Sequence, residues 1–370
     1  MGKNIKPKLL HVIDSLGFGG AERLLVGVVN NFDDVEHHII SLSARTEMKK
    51  ELRPDCFFQS LNFKSKRDLI KIVIQISRYI KRHKINLVHS HLVLSNIVAR
   101  LATPAYIPLF NSLHSLAGKR FFRKKYAWQT IAEKWTYKKR HTIIAVSDSV
   151  LQDYQHAIGI KGNAHVLHNF VADSFFAVAP HLYKPTGTLS LVAVGSLKPE
   201  KNYQFLIKAF KNLPVSVKLD IYGAGPLREE LEKQIEESKV AITLCGNVSD
   251  IENVLIKYDL YVMASRYEGH PIALLEAMAA GMPTLVADIP VLKEATGGEN
   301  FFFCAEDESD FLRKIHQVLN EEINLDKLAA SNFSFANYHA RKGMYLKKLR
   351  TIYGTAIFLR PDQTITTESE

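Results

Sequence analysis

LYVMASRYEGHPIALLEAMAAGMP, residues 260–283, reads as strand, loop, helix and turn. Leu260–Ala264 is apolar enough for a buried strand. Pro271 suits the first turn of a helix, where its missing N–H costs nothing. Leu274, Leu275 and Met278 recur at helical spacing, Gly281 ends the helix, and Pro283 lies just beyond. Two carboxylates frame the segment: Glu268 in the loop and Glu276 within the helix, with seven residues between them. The helix start offers backbone N–H groups and a positive dipole end, both suited to phosphate.

Two readings of this stretch are open from its residues alone. In one, Glu268 is an exposed acid paired with Arg266, and Glu276 is a helix-surface residue. In the other, Glu268 grips a sugar hydroxyl, Glu276 grips the hydroxyls of a ribose, and the amides between them face a diphosphate. That combination suits a sugar nucleotide. The run EGHPIALLEAMAAGMP resembles the E-x(7)-E signature of the family 4 (group 1) retaining glycosyltransferases.

Working outward, 370 residues favour two domains over one. At 46% hydrophobic and 23% charged, the composition is that of a globular protein. No run approaches the roughly 18 apolar residues of a membrane span. MGKNIKPK leads directly into a strand, so no secretory signal is expected, and Lys6 breaks a Gly2 myristoylation pattern. Cys56, Cys245 and Cys304 lack metal-ligand spacing; they suit a reducing cytoplasm and core or near-core positions. The net charge of +10 favours an anionic partner. No helix-turn-helix, RNP or zinc-finger pattern accompanies it, so nucleic acid is not expected.

KLLHVIDS (8–15) reads as an opening strand. Gly17-Phe18-Gly19-Gly20 and a helix from Ala21 follow, a Rossmann-like start without G-x-G-x-x-G. His89 and His91 end a strand at 85–91, where ligands of open α/β sheets gather. They suit structural or cleft-lining roles better than a metal, for want of a third ligand. His114 ends the strand 108–115. Residues 119–140, KRFFRKKYAWQTIAEKWTYKKR, are the most basic part of the chain. Phe121, Trp128 and Trp135 recur every seven residues, with Ile131 between them, on one helical face. The stripe suits core packing under a solvated basic face, or a membrane-surface helix. The pattern loosens around 174–187, which places the domain boundary there.

The second half opens with LSLVAVGSLKPEKNYQFLIKAF (189–210). Its Gly195 allows close approach, and its loop lysines can meet a diphosphate. KLDIYGAGPLREEL (218–231) repeats strand, Gly loop and helix. Here the resemblance continues with "VGRL…KG…LI.AF" and "GxGP" at Gly223 to Pro226, and earlier with GGAER and a variant of "PNGVD" at 168–173 whose glycine is Phe170.

The resemblance implies a GT-B fold: two Rossmann-like, doubly wound parallel-sheet α/β domains facing across a cleft. The expected division is 1–178 for the acceptor, 179–332 for the nucleotide sugar, 333–353 as a helix crossing back, and 354–370 as a tail. It assigns Glu268, His114 and Lys201 to catalysis. Around the donor it sets Gly20, Gly195, Ser196, Lys198, Lys201, Gly223, Asn247, Val248, Glu268, Gly269, His270, Pro271, Ile272 and Glu276. Lys201 falls on the family's phosphate-binding lysine, whereas Ser196 stands where an arginine is usual, with Lys198 as a replacement cation.

The implied activity is retaining transfer of a hexosyl or N-acetylhexosaminyl group from a UDP- or GDP-sugar. The implied acceptor is a glycan or polyprenyl-linked hydroxyl in surface polysaccharide assembly, such as lipopolysaccharide or capsule. No cofactor or metal is expected. The implied location is cytoplasmic, and the membrane-surface reading of residues 119–140 would put that helix on the inner face of the membrane. A sugar-nucleotide epimerase of the same fold, or a non-catalytic glycosyltransferase-like subunit, are the alternatives.

Overall fold

The computed structural model describes residues 6–117, 127–178, 187–298 and 300–357. The chain forms two compact units. The first runs to Leu167 and takes up the chain again from Gly343; the second is His168–Lys342.

In the first unit the strands are β1 (Lys8–Ile13), β2 (Glu36–Ser41), β3 (Phe57–Ser60), β4 (Leu87–His91), β5 (Leu109–Leu113), β6 (His141–Ala145) and β7 (Ala164–Val166). Among the described residues they form one sheet in the order β3-β2-β1-β4-β5-β6-β7, every pair parallel. Parallel strands need crossovers. Helices α1 (Gly20–Asn31), α2 (Leu69–His83), α3 (Val93–Ala102), α4 (Ala127–Thr136) and α5 (Asp148–Ala157) lie between the strands in sequence. Ser147 caps α5 by accepting a hydrogen bond from the Val150 N–H at 3.1 Å. One part of the core joins Leu10, Val12 and Ile40 to Ile72, Ile76 and Ile80 of α2. Another joins Ile13 and Ile39 to Leu25 and Val29 of α1.

The second unit holds β8 (Leu189–Val194), α6 (Tyr203–Phe210), β9 (Val217–Tyr222), α7 (Arg228–Ser238), β10 (Ile242–Gly246), α8 (Ile251–Leu255), β11 (Leu260–Met263), α9 (Ile272–Ala279), β12 (Thr284–Ala287), α10 (Pro290–Ala295), β13 (Phe301–Phe303), α11 (Glu308–Leu319) and α12 (Leu325–His339). Its sheet, again all parallel, runs β10-β9-β8-β11-β12-β13. Strand order therefore reverses at β1/β4 in one unit and at β8/β11 in the other. Loops leaving the carboxyl ends of such neighbours diverge and open a crevice for ligands.

The units divide at Leu167–His168, ahead of the expected 178–179. The reason is local: the Val171 N–H donates to the Ala340 carbonyl at 2.9 Å, and Val171 bridges Arg341, so this segment already packs with the second unit. The same pairing interrupts the helix expected from Phe333. Phe333 lies within α12, and a separate helix, α13 (Lys342–Ile357), returns to the first unit. There Tyr353 meets Phe32 and Phe110 edge-on. Helix α13 runs to Ile357, past the expected start of the tail at 354; residues 358–370 lie outside the described residues. Cys56 is half-buried, but Cys245 and Cys304 are exposed rather than core. Cys245 sits on the edge strand β10, and Cys304 follows the opposite edge strand β13.

The first sheet buries an unusual load of histidine. His11, His37, His89 and His91 are all buried, and burial lowers the pKa of each. His37 and His114 are both lowered to about 4, chiefly by desolvation. Below pH 6.5 the unfolded chain binds protons that the folded chain refuses, so stability falls as pH drops from 6.5 toward 4. Each such histidine costs about 1 kcal/mol between pH 7.5 and 5.5. Urea unfolding at the two pH values should show a loss of several kcal/mol; equal stability would contradict this account of the core.

Candidate active site

The switch point of the second unit gathers two loops. One leaves β8 as Gly195-Ser196-Leu197-Lys198 and turns through Pro199–Lys201. Asn202 adopts the left-handed conformation (φ 58°), which Asn tolerates well, and starts α6. The other loop leaves β11 as Ala264–Gly269 and enters α9 after Pro271. Because β8 and β11 are neighbours, the loops meet: Lys201 Nζ lies 2.6 Å from Glu268 Oε1. Ser265 Oγ donates to the same oxygen at 2.7 Å. The lysine and glutamate side chains are only 16% and 12% exposed, so the pair is largely removed from water. Arg266, the partner open from sequence, instead pairs with Glu306 at 2.6 Å.

Two tyrosines underlie this pair. The Tyr203 phenol is pushed up by burial first and by Glu268 second. That of Tyr261 is pushed up by burial, then by Tyr203, Glu268 and Glu276. Both stay protonated O–H groups beside the acids. Glu276, in α9, is 6% exposed, which removes the helix-surface reading. The opening N–H groups of α9 have no partner inside the helix, and its cap residue Pro271 supplies no side-chain bond.

The glycines of the motif have a packing reason. A Cβ on Gly223 (φ 143°) would sit 2.0 Å from the Gly195 carbonyl oxygen, and one on Gly225 would sit 2.4 Å from that of Leu197. These residues let the ends of β8 and β9 touch backbone to backbone. A Cβ on Gly195 would come 3.0 Å from the Tyr203 hydroxyl and 3.2 Å from Lys201 Cε, so this glycine gives Lys201 its room. Lys198 is exposed, and Ser196 is half-buried.

The other expected donor residues lie on the same loop, at the start of α9 and after β10. The His270 ring faces the start of the unit: the Asn169 N–H donates to its Nδ1 at 3.2 Å, and Asn169 Nδ2 donates to its carbonyl at 2.7 Å. His168 stacks on it at 4.8 Å and bonds Glu294 at 2.9 Å. Burial first, then His168, lowers the His270 pKa to about 3. Its side chain is a neutral strap that holds the loop Gly269–Pro271. Ile272 opens α9, while exposed Asn247 and half-buried Val248 lie in the turn after β10. Sequence reasoning missed Ser265, Tyr203, Tyr261 and Asn169; the nearest signal was that Tyr261 alternates with Met263 and Ser265 along one strand and its exit.

In the first unit, Gly19 caps α1 and Gly20 begins it. A Cβ on Gly19 would lie 2.4 Å from the Glu22 carboxylate, which also accepts from Ser15 Oγ at 2.9 Å. Asp14, just past β1, accepts from the Ser95 N–H and Oγ at the start of α3, at 2.7 and 2.6 Å. His114 follows β5, half-buried, with Nε2 buried and without a hydrogen-bond partner among the described residues. His11, His89 and His91 each place a ring nitrogen within 4.8 Å of the others and form the one set within this unit, among the described residues, with the spacing to hold a metal.

Helix α4 reverses the usual sidedness. Glu133 and Tyr137 point inward, with Glu133 Oε1 3.9 Å from Arg100 Nη1 and the Arg100 guanidinium 5.0 Å over the Tyr137 ring. Trp135 and Ile131 are 83% and 60% exposed, so the aromatic stripe is not core at these positions. Phe121 and the cations from Lys119 to Lys125 lie outside the described residues.

The chain is similar to known proteins over both units. It is 26% identical over 250 residues to the Escherichia coli UDP-Gal:alpha-D-GlcNAc-diphosphoundecaprenol alpha-1,3-galactosyltransferase, covering 60% of this chain and 62% of that one. It is 24% identical over 258 residues to the E. coli serotype-specific mannosyltransferase WbdA, covering 62% of this chain and 31% of that one. The chain thus spans less than two thirds of either relative. Anabaena HepE in complex with UDP-glucose superposes with a TM-score of 0.80 at 16% identity, over 94% of this chain and 99% of that one. This likeness establishes the fold as GT-B. Residues 18–175 match the family described as Glycosyltransferase Family 4 and residues 180–333 that described as Glycosyl transferases group 1, so the chain belongs to the family 4 (group 1) glycosyltransferases.

Proposed function

We propose that the chain transfers a sugar from a nucleotide sugar, with retention at the anomeric carbon, to a hydroxyl of a glycan or lipid-linked acceptor in surface polysaccharide assembly. The Lys201–Glu268 pair at the β8/β11 switch point carries the reading. Within the pair each neutralises the other. An arriving diphosphate offers Lys201 a better-matched anion, and Glu268, still held by Ser265, turns to a sugar hydroxyl. As the C1–oxygen bond breaks, negative charge grows on the diphosphate. Lys201 and the opening N–H groups of α9 are already in place to stabilise it. Glu276 takes the ribose. The acceptor hydroxyl attacks from the departing side and yields its proton to the leaving phosphate. This route asks for no metal or other cofactor.

UDP-sugars are the first donors to try, because the HepE complex holds UDP-glucose. Titration calorimetry with UDP, UDP-glucose, UDP-galactose and GDP-mannose should show binding to at least one, and none to free uridine at the same concentration. Binding to none of the four nucleotides contradicts the reading.

The acceptor side is supported by α4. No described helix is long and apolar enough to cross a membrane. Exposed Trp135 and Ile131 instead stand beside exposed Lys134, Lys138, Lys139 and Arg140. Aromatic and aliphatic groups ringed by cations suit the interface of an anionic bilayer. This would put the protein on the inner face of the cytoplasmic membrane, near a polyprenyl-linked acceptor. In flotation with phosphatidylglycerol vesicles, Trp135→Glu should lower the bound fraction about tenfold with an unchanged melting temperature. A wild-type protein that does not float contradicts membrane docking.

A further inference from the structure

From Leu69 to Arg140 the sequence holds fifteen lysines and arginines and a single acid, Glu133. The net charge of +10 therefore comes wholly from this stretch, and the rest of the chain carries more acids than bases. Glu133 is buried beside Arg100, so its carboxylate does not offset the surface charge. Asp68, just ahead of the stretch, turns its carboxylate to the N–H groups of Lys64 and Ser65 at 3.1 and 2.8 Å. Among the described residues of 69–140, every exposed lysine and arginine stands on a surface without an exposed acid.

The fold lays that stretch out as one layer. Strand order runs from β3 across β2 and β1 to β4, β5 and β6, so the crossovers through α2, α3 and α4 all travel the same way. Right-handed crossovers then place the three helices on one side of the sheet, and α1, which travels the opposite way, on the other. The core agrees: α2 and α3 pack on Leu10, Val12 and Ile40, whereas α1 packs on Ile13 and Ile39. Helix α2 touches α3, and α3 touches α4. Each of the three carries apolar side chains outward. In α2, Ile70 and Ile74 stand one turn apart, 74% and 43% exposed, on the side opposite the buried Ile72, Ile76 and Ile80. Leu101 of α3 and Tyr106 just beyond it are exposed, and α4 adds Ile131 and Trp135. These six are more than half of the eleven large apolar side chains exposed among the described residues. Scattered singly, such residues need no explanation; gathered on one layer, they mark an interaction surface.

We infer that the outer face of α2 and α3 docks on an anionic lipid bilayer beside α4. Ile70, Ile74, Leu101 and Tyr106 enter the interface, and Lys71, Arg78, Lys81 and Arg82 meet the headgroups. The inference deepens the membrane reading of α4 and rests on it for the class of partner. A bilayer uses both properties of the face: it takes up the aliphatic side chains, and its charge holds cations that no exposed acid offsets. A second copy of the chain would bring like charges face to face. Nucleic acid would engage the cations and leave Ile70 and Ile74 in water. Contact through three neighbouring helices also fixes an orientation, with the first sheet lying along the membrane plane.

The test is flotation of the full chain with phosphatidylcholine vesicles, with and without phosphatidylglycerol. Wild type should float only with the anionic lipid. Ile70→Glu/Ile74→Glu should lower the partition coefficient about tenfold, and adding Trp135→Glu should lower it about tenfold again, because effects at separate sites multiply. Lys71→Glu/Arg78→Glu should weaken partitioning and flatten its decline with rising salt. All of these side chains are exposed, so melting temperatures should stay unchanged. Val215→Glu, at an exposed apolar site of the second unit, should float like wild type. Wild-type partitioning in Ile70→Glu/Ile74→Glu, with loss in Trp135→Glu, would overturn the inference and keep the α4 reading. Loss in the α2 variant with none in Trp135→Glu would keep this face and remove α4. A wild type that binds an oligonucleotide duplex and no vesicle would overturn both.

Discussion

Lys201→Met is expected to lower kcat/KM for sugar transfer by about 10²–10³, the usual loss when one preorganised stabiliser of developing negative charge is removed. The same change strands Glu268, whose carboxylate is 12% exposed and would keep Ser265 as its neighbour. Leaving a charged group largely buried without its partner costs about 1–3 kcal/mol. That corresponds to a melting shift of about 2–4 °C per kcal/mol in a domain of this size. The double variant Lys201→Met/Glu268→Gln should therefore recover much of the melting temperature and none of the activity. Recovery of both would make the pair a structural tie. Loss of neither in Lys201→Met would place the diphosphate elsewhere.

Glu276→Gln is expected to weaken nucleotide-sugar binding by about 10- to 100-fold, as befits the loss of charge-assisted hydrogen bonds to two ribose hydroxyls. Glu276 is buried within α9 beside Leu275 and Ala277, so the amide is the right probe: it preserves shape and removes charge. Calorimetry with the nucleoside diphosphate alone should show nearly the whole loss, because the ribose is common to both ligands. Unchanged binding would sink the ribose assignment.

What the sequence revealed and withheld differs by residue. The strand, loop and helix around Glu268 were legible because Pro271, Gly281 and the apolar spacing act locally. The partner of Glu268 was not. Arg266 is two residues away in sequence, yet Lys201, 67 residues distant, makes the bond because β8 lies beside β11. The resemblance sets Gly223 around the donor; in the structure the Gly195 carbonyl leaves no room for a Cβ there. For the helix around Trp135, spacing defined one face without saying whether it points in or out. The buried Arg100–Glu133 contact decides that, and it draws the polar face inward. His11 carried no signal, being one polar residue in an apolar strand. Its contacts with His37 and His91, at 3.3 and 3.2 Å, follow from register across β2, β1 and β4. Similarly, composition loosens near 180, whereas the division falls at 167–168 because Asn169 and Val171 bond residues late in the chain.

The most direct measurement of the central claim is nucleoside diphosphate release from a panel of UDP- and GDP-sugars, by purified protein, with and without a lipid-linked saccharide fraction. The account predicts release from at least one donor that rises at least about tenfold when acceptor is added, with the new glycosidic bond keeping the donor's anomeric configuration. Conversion of a nucleotide sugar to its epimer without acceptor, or no turnover of any donor with acceptor present, would contradict it.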